Sequence, residues 1–128
     1  MDRINILHID DDDSLRVVVA GMLDGFGYYC EGAPSVKEGF VLARSKRFSL
    51  VLMDVQMPDE DGYAGCRLFK SDPALQRLPI IMVTSMDRLP DVNQAFNSGA
   101  RDFIVKPIQA DQLKAKIDKA LTFSSGPA

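Results

Sequence analysis

The residues of this sequence best suited to chemistry interrupt apolar runs. Asp10 and Asp11 follow Ile4 to Ile9, Asp54 follows Leu50 to Met53, Thr84 and Ser85 follow Ile80 to Val83, and Lys106 follows Phe103 to Val105. Three carboxylates brought together repel one another, and in a partly buried site each has a raised pKa unless a cation compensates. A divalent ion is the natural compensation. An all-oxygen ligand set suits Mg²⁺, or Mn²⁺, over zinc, and Mg²⁺ takes only one or two carboxylates while keeping several waters. Lys106 adds a point charge able to hold a phosphate oxygen, and Thr84 adds a hydroxyl donor. Metal, carboxylate nucleophile, cationic clamp and hydroxyl are together the equipment of phosphoryl transfer.

These residues are far apart in sequence, so the elements between them must bring them together. Short apolar runs rich in β-branched residues predict buried central strands at Ile4 to Ile9, Leu50 to Met53 and Ile80 to Val83, with a fourth at Phe103 to Val105 and a weaker, edge-like one at Tyr28 to Glu31. Between them the period changes to that of helices. Leu15, Val18, Val19, Met22, Leu23 and Phe26 are expected on the inner face of a first helix capped by Asp12 or Asp13 and stopped at Gly25 or Gly27. Ser35 and Glu38 have capping-box spacing ahead of a second helix carrying Phe40, Val41 and Ala43. A third is expected from about Tyr63 to Lys70, before Pro73, a fourth from Val92 to Ser98 with Gly99 as its stop, and a fifth from Ala110 to Leu121. Strands alternating with helices imply a parallel sheet covered on both faces. Its carboxyl ends share one rim, where ligands bind, and every polar interruption falls at such an end.

A chain of 128 residues holds one domain. With 46% hydrophobic and 26% charged residues it is neither disordered nor collagen-like. The net charge of -3 from 15 basic and 18 acidic residues shows no basic stripe, which argues against direct nucleic-acid binding. No apolar run approaches the ~20 residues of a membrane span, and no signal peptide precedes the first strand, so a cytoplasmic location without membrane insertion is expected. Cys30 and Cys66 make no disulfide framework and no zinc pair and read as reduced thiols. His8 invites a phosphohistidine reading, but a single His in an apolar strand reads first as a core or edge residue.

The segments Ile6-Leu-His-Ile-Asp-Asp-Asp-Asp-Ser-Leu-Arg16, Leu50-Val-Leu-Met-Asp-Val-Gln-Met-Pro-Asp-Glu-Asp-Gly62, Pro79-Ile-Ile-Met-Val-Thr-Ser85 and Gly99-Ala-Arg-Asp-Phe-Ile-Val-Lys-Pro107 resemble, in order and spacing, the receiver domain of two-component response regulators. The resemblance implies a single doubly wound α/β domain of five strand–helix repeats, flavodoxin-like with strand order 2-1-3-4-5, over residues 1–121, with 122–128 as a flexible tail or the start of a linker. It implies that Asp54 is the phospho-acceptor, that Asp10, Asp11, Asp54 and the backbone carbonyl of Gln56 hold Mg²⁺, and that Thr84 and Lys106 bind the phosphoryl group. Thr84 and Phe103 would be the switch pair, and the bond before Pro107 would be cis. The implied donor is a histidine kinase or a histidine phosphotransfer protein. The implied output is a change in the face formed by the fourth helix, fifth strand and fifth helix, with Arg88, Arg101, Gln109 and Gln112 as candidates, read by an effector domain or protein. The module would catalyse only its own phosphorylation and dephosphorylation. Ser85 stands where the family often has Ala, and Asp13 where it often has Pro. The competing reading is a small-molecule phosphohydrolase similar to the haloacid dehalogenases, because Asp10-x-Asp12 with Ser14 imitates their nucleophile motif. That reading leaves Asp54 without a role and finds no insertion to cover a substrate.

Overall fold

Strands covered on both faces cannot alternate apolar with polar residues, and the runs Leu50 to Met53 and Ile80 to Val83 are accordingly buried throughout. The computed structural model describes residues 3–58, 60–85 and 92–124. Five parallel strands form its sheet: β1 (Asn5–Ile9), β2 (Tyr29–Ala33), β3 (Leu50–Asp54), β6 (Ile80–Thr84) and β7 (Asp102–Val105). The order is β2-β1-β3-β6-β7. A separate antiparallel ribbon, β4 (Gln56–Met57) with β5 (Glu60–Asp61), follows β3. Counting the sheet strands alone, the order is the expected flavodoxin-like 2-1-3-4-5.

The helices are α1 (Asp13–Gly25), α2 (Val36–Ser45), α3 (Gly62–Ser71), α4 (Val92–Asn97) and α5 (Ala110–Ser124). Side chains alternate across each strand, so the core has two layers. Leu7, Ile9, Val51, Met53, Ile80 and Met82 pack with Ala43 of α2, Phe69 of α3 and Ala95 of α4. Ile6, Leu50, Leu52, Ile81, Val83 and Ile104 pack with Val19 and Leu23 of α1 and Leu113 and Ile117 of α5. The N-caps are side-chain acceptors. Asp12 takes the Leu15 amide, Ser35 the Glu38 amide and Asp61 the Tyr63 amide. Gly99, at φ +103°, turns the chain after α4 in a conformation that favours glycine.

Several expectations are corrected. Val18 is 50% exposed instead of facing the core, and Val41 is 60% exposed. Each residue advances a helix by about 100°, which puts Val18 more than a quarter turn from the buried Val19 and Leu23, and Val41 nearly opposite the buried Gly39 and Ala43. The edge strand β2 begins at Tyr29 and runs to Ala33, where Tyr28 to Glu31 was expected. α5 reaches Ser124, three residues past the expected end at Leu121, and the Thr122 hydroxyl donates to the Asp118 carbonyl. The β4–β5 ribbon is too short to leave a periodic signal. Cys30 and Cys66 are free thiols.

Gly62 marks where α3 meets the end of β3. A Cβ there would lie 2.1 Å from the Asp54 carbonyl oxygen, an atom fixed by the backbone. Gly62→Ala is expected to destabilise the protein by about 1–3 kcal/mol. Gly21→Ala on α1, with nothing within 4 Å of its Cβ, should instead stabilise by about 0.5–1 kcal/mol. Urea midpoints of the two variants check this, and equal midpoints would contradict the close approach of α3 to β3.

Candidate phosphoryl-transfer site

Each site residue stands where a strand stops. Asp10 follows β1, its amide bonded to the Ala33 carbonyl at 3.0 Å. Asp54 is the last residue of β3 and Thr84 the last of β6. Lys106 follows β7, with its amide on the Thr84 carbonyl at 2.7 Å. Register places Val83 beside Asp54 and Val105 beside Thr84, so the four strand ends form one rim. The Lys106–Pro107 peptide is cis.

The rim brings together Asp10, Asp11 and Asp54, each offering a carboxylate oxygen within 4.8 Å of the others. Asp10 and Asp54 are buried and Asp11 is exposed. Lys106 Nζ lies 3.3 Å from Asp54 Oδ1 and 3.9 Å from Asp10 Oδ2. Thr84 is buried and its hydroxyl donates to the Ser85 carbonyl at 3.4 Å. Phe103 is half-buried, meets Phe96 of α4 edge to face at 6.2 Å, and carries Lys116 Nζ 5.0 Å above its ring. Gln56 opens the β4–β5 ribbon and its backbone N–H donates to the Asp54 carboxylate. Arg88 lies outside the described residues, while Arg101, Gln109 and Gln112 are exposed.

Three residues make contacts that escaped the sequence reading. The Arg16 guanidinium donates to both the Asp10 carbonyl and the Asp13 carboxylate. The i, i+3 spacing of Asp13 and Arg16 was the available signal. Glu60 Oε2 accepts the Val36 amide at 2.7 Å, tying the ribbon to the start of α2. His8 is fully buried, as expected of a core residue, yet its Nε2 is 3.6 Å from Asp10 Oδ2.

Burial pushes the Asp54 carboxyl up to about 6, with the Asp10 charge adding to the rise, against the opposing pull of Lys106 and the Gln56 amide. Burial would also raise Asp10, but His8, the Asp12 amide and Lys106 outweigh it and hold that carboxyl below its ordinary range. The chemistry of the donor set fits a hard divalent cation. Three carboxylate oxygens converge, Asp10 Oδ2 is buried without a hydrogen-bond partner among the described residues, and Lys106 is the lysine that faces them.

Because Asp54 keeps its proton to about pH 6 when folded and to about 3.8 as a free side chain, its contribution to stability is full below about pH 4. It is lost as the pH rises through 6. In chelator, Asp54→Asn is therefore expected to exceed the parent in stability at pH 7 by about 1–3 kcal/mol, with the advantage shrinking between pH 6 and 4. Urea denaturation of both proteins across that range checks it, and a difference independent of pH would contradict it.

Asp12, part of the motif on which the phosphohydrolase alternative rests, is exposed and accepts the Leu15 amide as the α1 cap. The comparisons with known proteins give that alternative no support. Residues 6–118 match the response regulator receiver domain model. The transcriptional regulatory protein ZraR of Escherichia coli strain K12 is 35% identical over 121 residues, covering 94% of this chain and 27% of that protein. This chain thus spans about a quarter of ZraR. The fold matches a CheY-like response regulator receiver domain protein from Methanospirillum hungatei JF-1 at TM-score 0.87 and 28% identity, over 96% of this chain and 97% of the other. It also matches the signal receiver domain of a signal transduction histidine kinase from Syntrophus aciditrophicus at TM-score 0.86 and 30% identity, over 97% and 94%. With its rim of acids, hydroxyl and lysine on this fold, the chain belongs to the response regulator receiver domain family of two-component signalling.

Proposed function

We propose that Asp54 is the phospho-acceptor of this receiver and that the rim around it performs the transfer. The observation that carries the reading is the crowding of Asp54 between Asp10 and Lys106 at the carboxyl end of the sheet. Asp54 attacks the phosphorus of a phosphohistidine on a histidine kinase or phosphotransfer protein. The phosphorus–nitrogen bond breaks, its electron pair returns to the imidazole, and an acyl phosphate forms on Asp54. In dephosphorylation water attacks the phosphorus, the phosphorus–oxygen bond to Asp54 breaks with its electron pair returning to the carboxylate, and inorganic phosphate leaves. Lys106, already 3.3 Å from Asp54 Oδ1, moves from pairing with the carboxylate to pairing with a phosphoryl oxygen. The Thr84 hydroxyl, whose present acceptor is a 3.4 Å carbonyl, turns to another. Asp10, Asp11, Asp54 and the Gln56 carbonyl would hold Mg²⁺, or Mn²⁺, which neutralises the gathering negative charge.

The turn of Thr84 frees space on the β7 side, where Phe103 and Phe96 meet, and biases α4, β7 and α5 between two arrangements. Arg101, Gln109 and Gln112 are exposed there for an effector domain or protein. No helix among the described residues is long and apolar enough to cross a membrane. Receiver domains are signalling modules and not classical enzymes, and the chemistry proposed here is confined to the chain's own phosphorylation and dephosphorylation. A cytoplasmic site of action and a domain that closes with α5 complete the reading.

Incubation with a small acyl phosphate and Mg²⁺ is expected to add one phosphate, seen by intact mass, and Asp54→Asn is expected to take up none. Label that persists in the variant and maps to His8 or Ser85 would contradict the assignment.

A further inference from the structure

His8 lies between Leu7 and Ile9 in β1, beside Gly32 of β2 and Leu52 of β3, and has no exposed surface. An aliphatic residue would fill such a strand position without burying a polar ring. Buried polar atoms are nearly always hydrogen-bonded. Among the described residues neither ring nitrogen has a partner, and neither does Asp10 Oδ2. The unpaired groups face each other, with Nε2 3.6 Å from Oδ2 and both side chains fully buried. That gap is a few tenths of an ångström longer than a hydrogen bond allows. Lys106 Nζ is farther from the same oxygen, at 3.9 Å. The other oxygen, Oδ1, already accepts the Asp12 amide at 2.9 Å.

We propose that His8 is a positioning residue for the acidic site: its ring, with a proton on Nε2, donates to Asp10 Oδ2 and fixes the rotation of that carboxylate against the Asp12 amide. The two carboxylate oxygens are then each held from the protein side, and their remaining lone pairs face the rim. Ligating carboxylates are commonly held by such partners, whose removal costs about 10–100-fold in metal affinity. The inference rests on the reading of Asp10 as a divalent-cation ligand.

The test is calorimetric titration of metal-free protein with Mg²⁺ for the parent, His8→Leu, His8→Gln and Asp11→Ala, with thermal melts in chelator. His8→Leu is expected to bind Mg²⁺ about tenfold more weakly while melting at or above the parental temperature. His8→Gln, which carries an N–H at similar reach, should recover most of the loss. A residue that only filled space would alter the melt and leave the affinity alone. Independently of any variant, the ¹H–¹⁵N spectrum of the parental imidazole in chelator, above neutral pH, should show the Nε2–H tautomer. Parental affinity in His8→Leu, or an Nδ1–H tautomer in the parent, overturns the proposal. A parent that binds no Mg²⁺ overturns the acidic-site reading itself, and the positioning role with it.

Discussion

The structure depends on a repulsion. Asp10 and Asp54 are both buried at the carboxyl rim of the sheet with Asp11 beside them, and Lys106 is the lysine close enough to offset their charge. Two buried carboxylates against one half-exposed ammonium leave the rim short of positive charge: burial, with the Asp10 charge adding to it, raises the Asp54 carboxyl to about 6 against the pull of Lys106. The cost is borne by the two-layer core, in which β1, β3 and β6 are covered on both faces. Anything that brings positive charge to the rim relieves the repulsion. An acyl phosphate on Asp54, with about two negative charges in place of one, deepens the demand for that positive charge.

The scaffolding around the rim keeps the acids from moving apart. The Arg16 guanidinium grips the Asp10 carbonyl, the Asp12 amide holds the Asp10 carboxylate, and Gly62 allows α3 to start against the Asp54 peptide. Glu60 ties the ribbon that carries Gln56 to the start of α2. A local event at Asp54 therefore meets a rigid wall on the α2–α3 side. On the β7 side the wall is softer, a half-buried Phe103 against an exposed Phe96.

Much of this was legible in the sequence, because a buried parallel strand must be an unbroken apolar run and a polar residue closing it must sit at an end. Asp10, Asp54, Thr84 and Lys106 were placed on one rim by that argument, and the structure brings them there. The helix caps at Asp12 and Ser35 were equally plain, since each is a short acceptor at the start of a periodic stretch. What was not legible came from the third dimension. The outward turn of Val18 and Val41 reflects how narrow a stripe of each helix touches the sheet. The ribbon of β4 and β5 is too brief for any period, and α5 continues past Leu121 through residues whose composition suggests a linker. His8 was assigned to the core by its neighbours in sequence, and only its approach to Asp10 across the end of β1 gives it a second significance.

The charge deficit at the rim is open to a carboxyl ¹³C NMR titration of the aspartates in chelator and again with saturating Mg²⁺. Asp54 should titrate near pH 6 without metal while Asp10 titrates below its ordinary range, and Mg²⁺ should move the Asp54 transition downward. An Asp54 that titrates near 4 in chelator, unmoved by Mg²⁺, would contradict it.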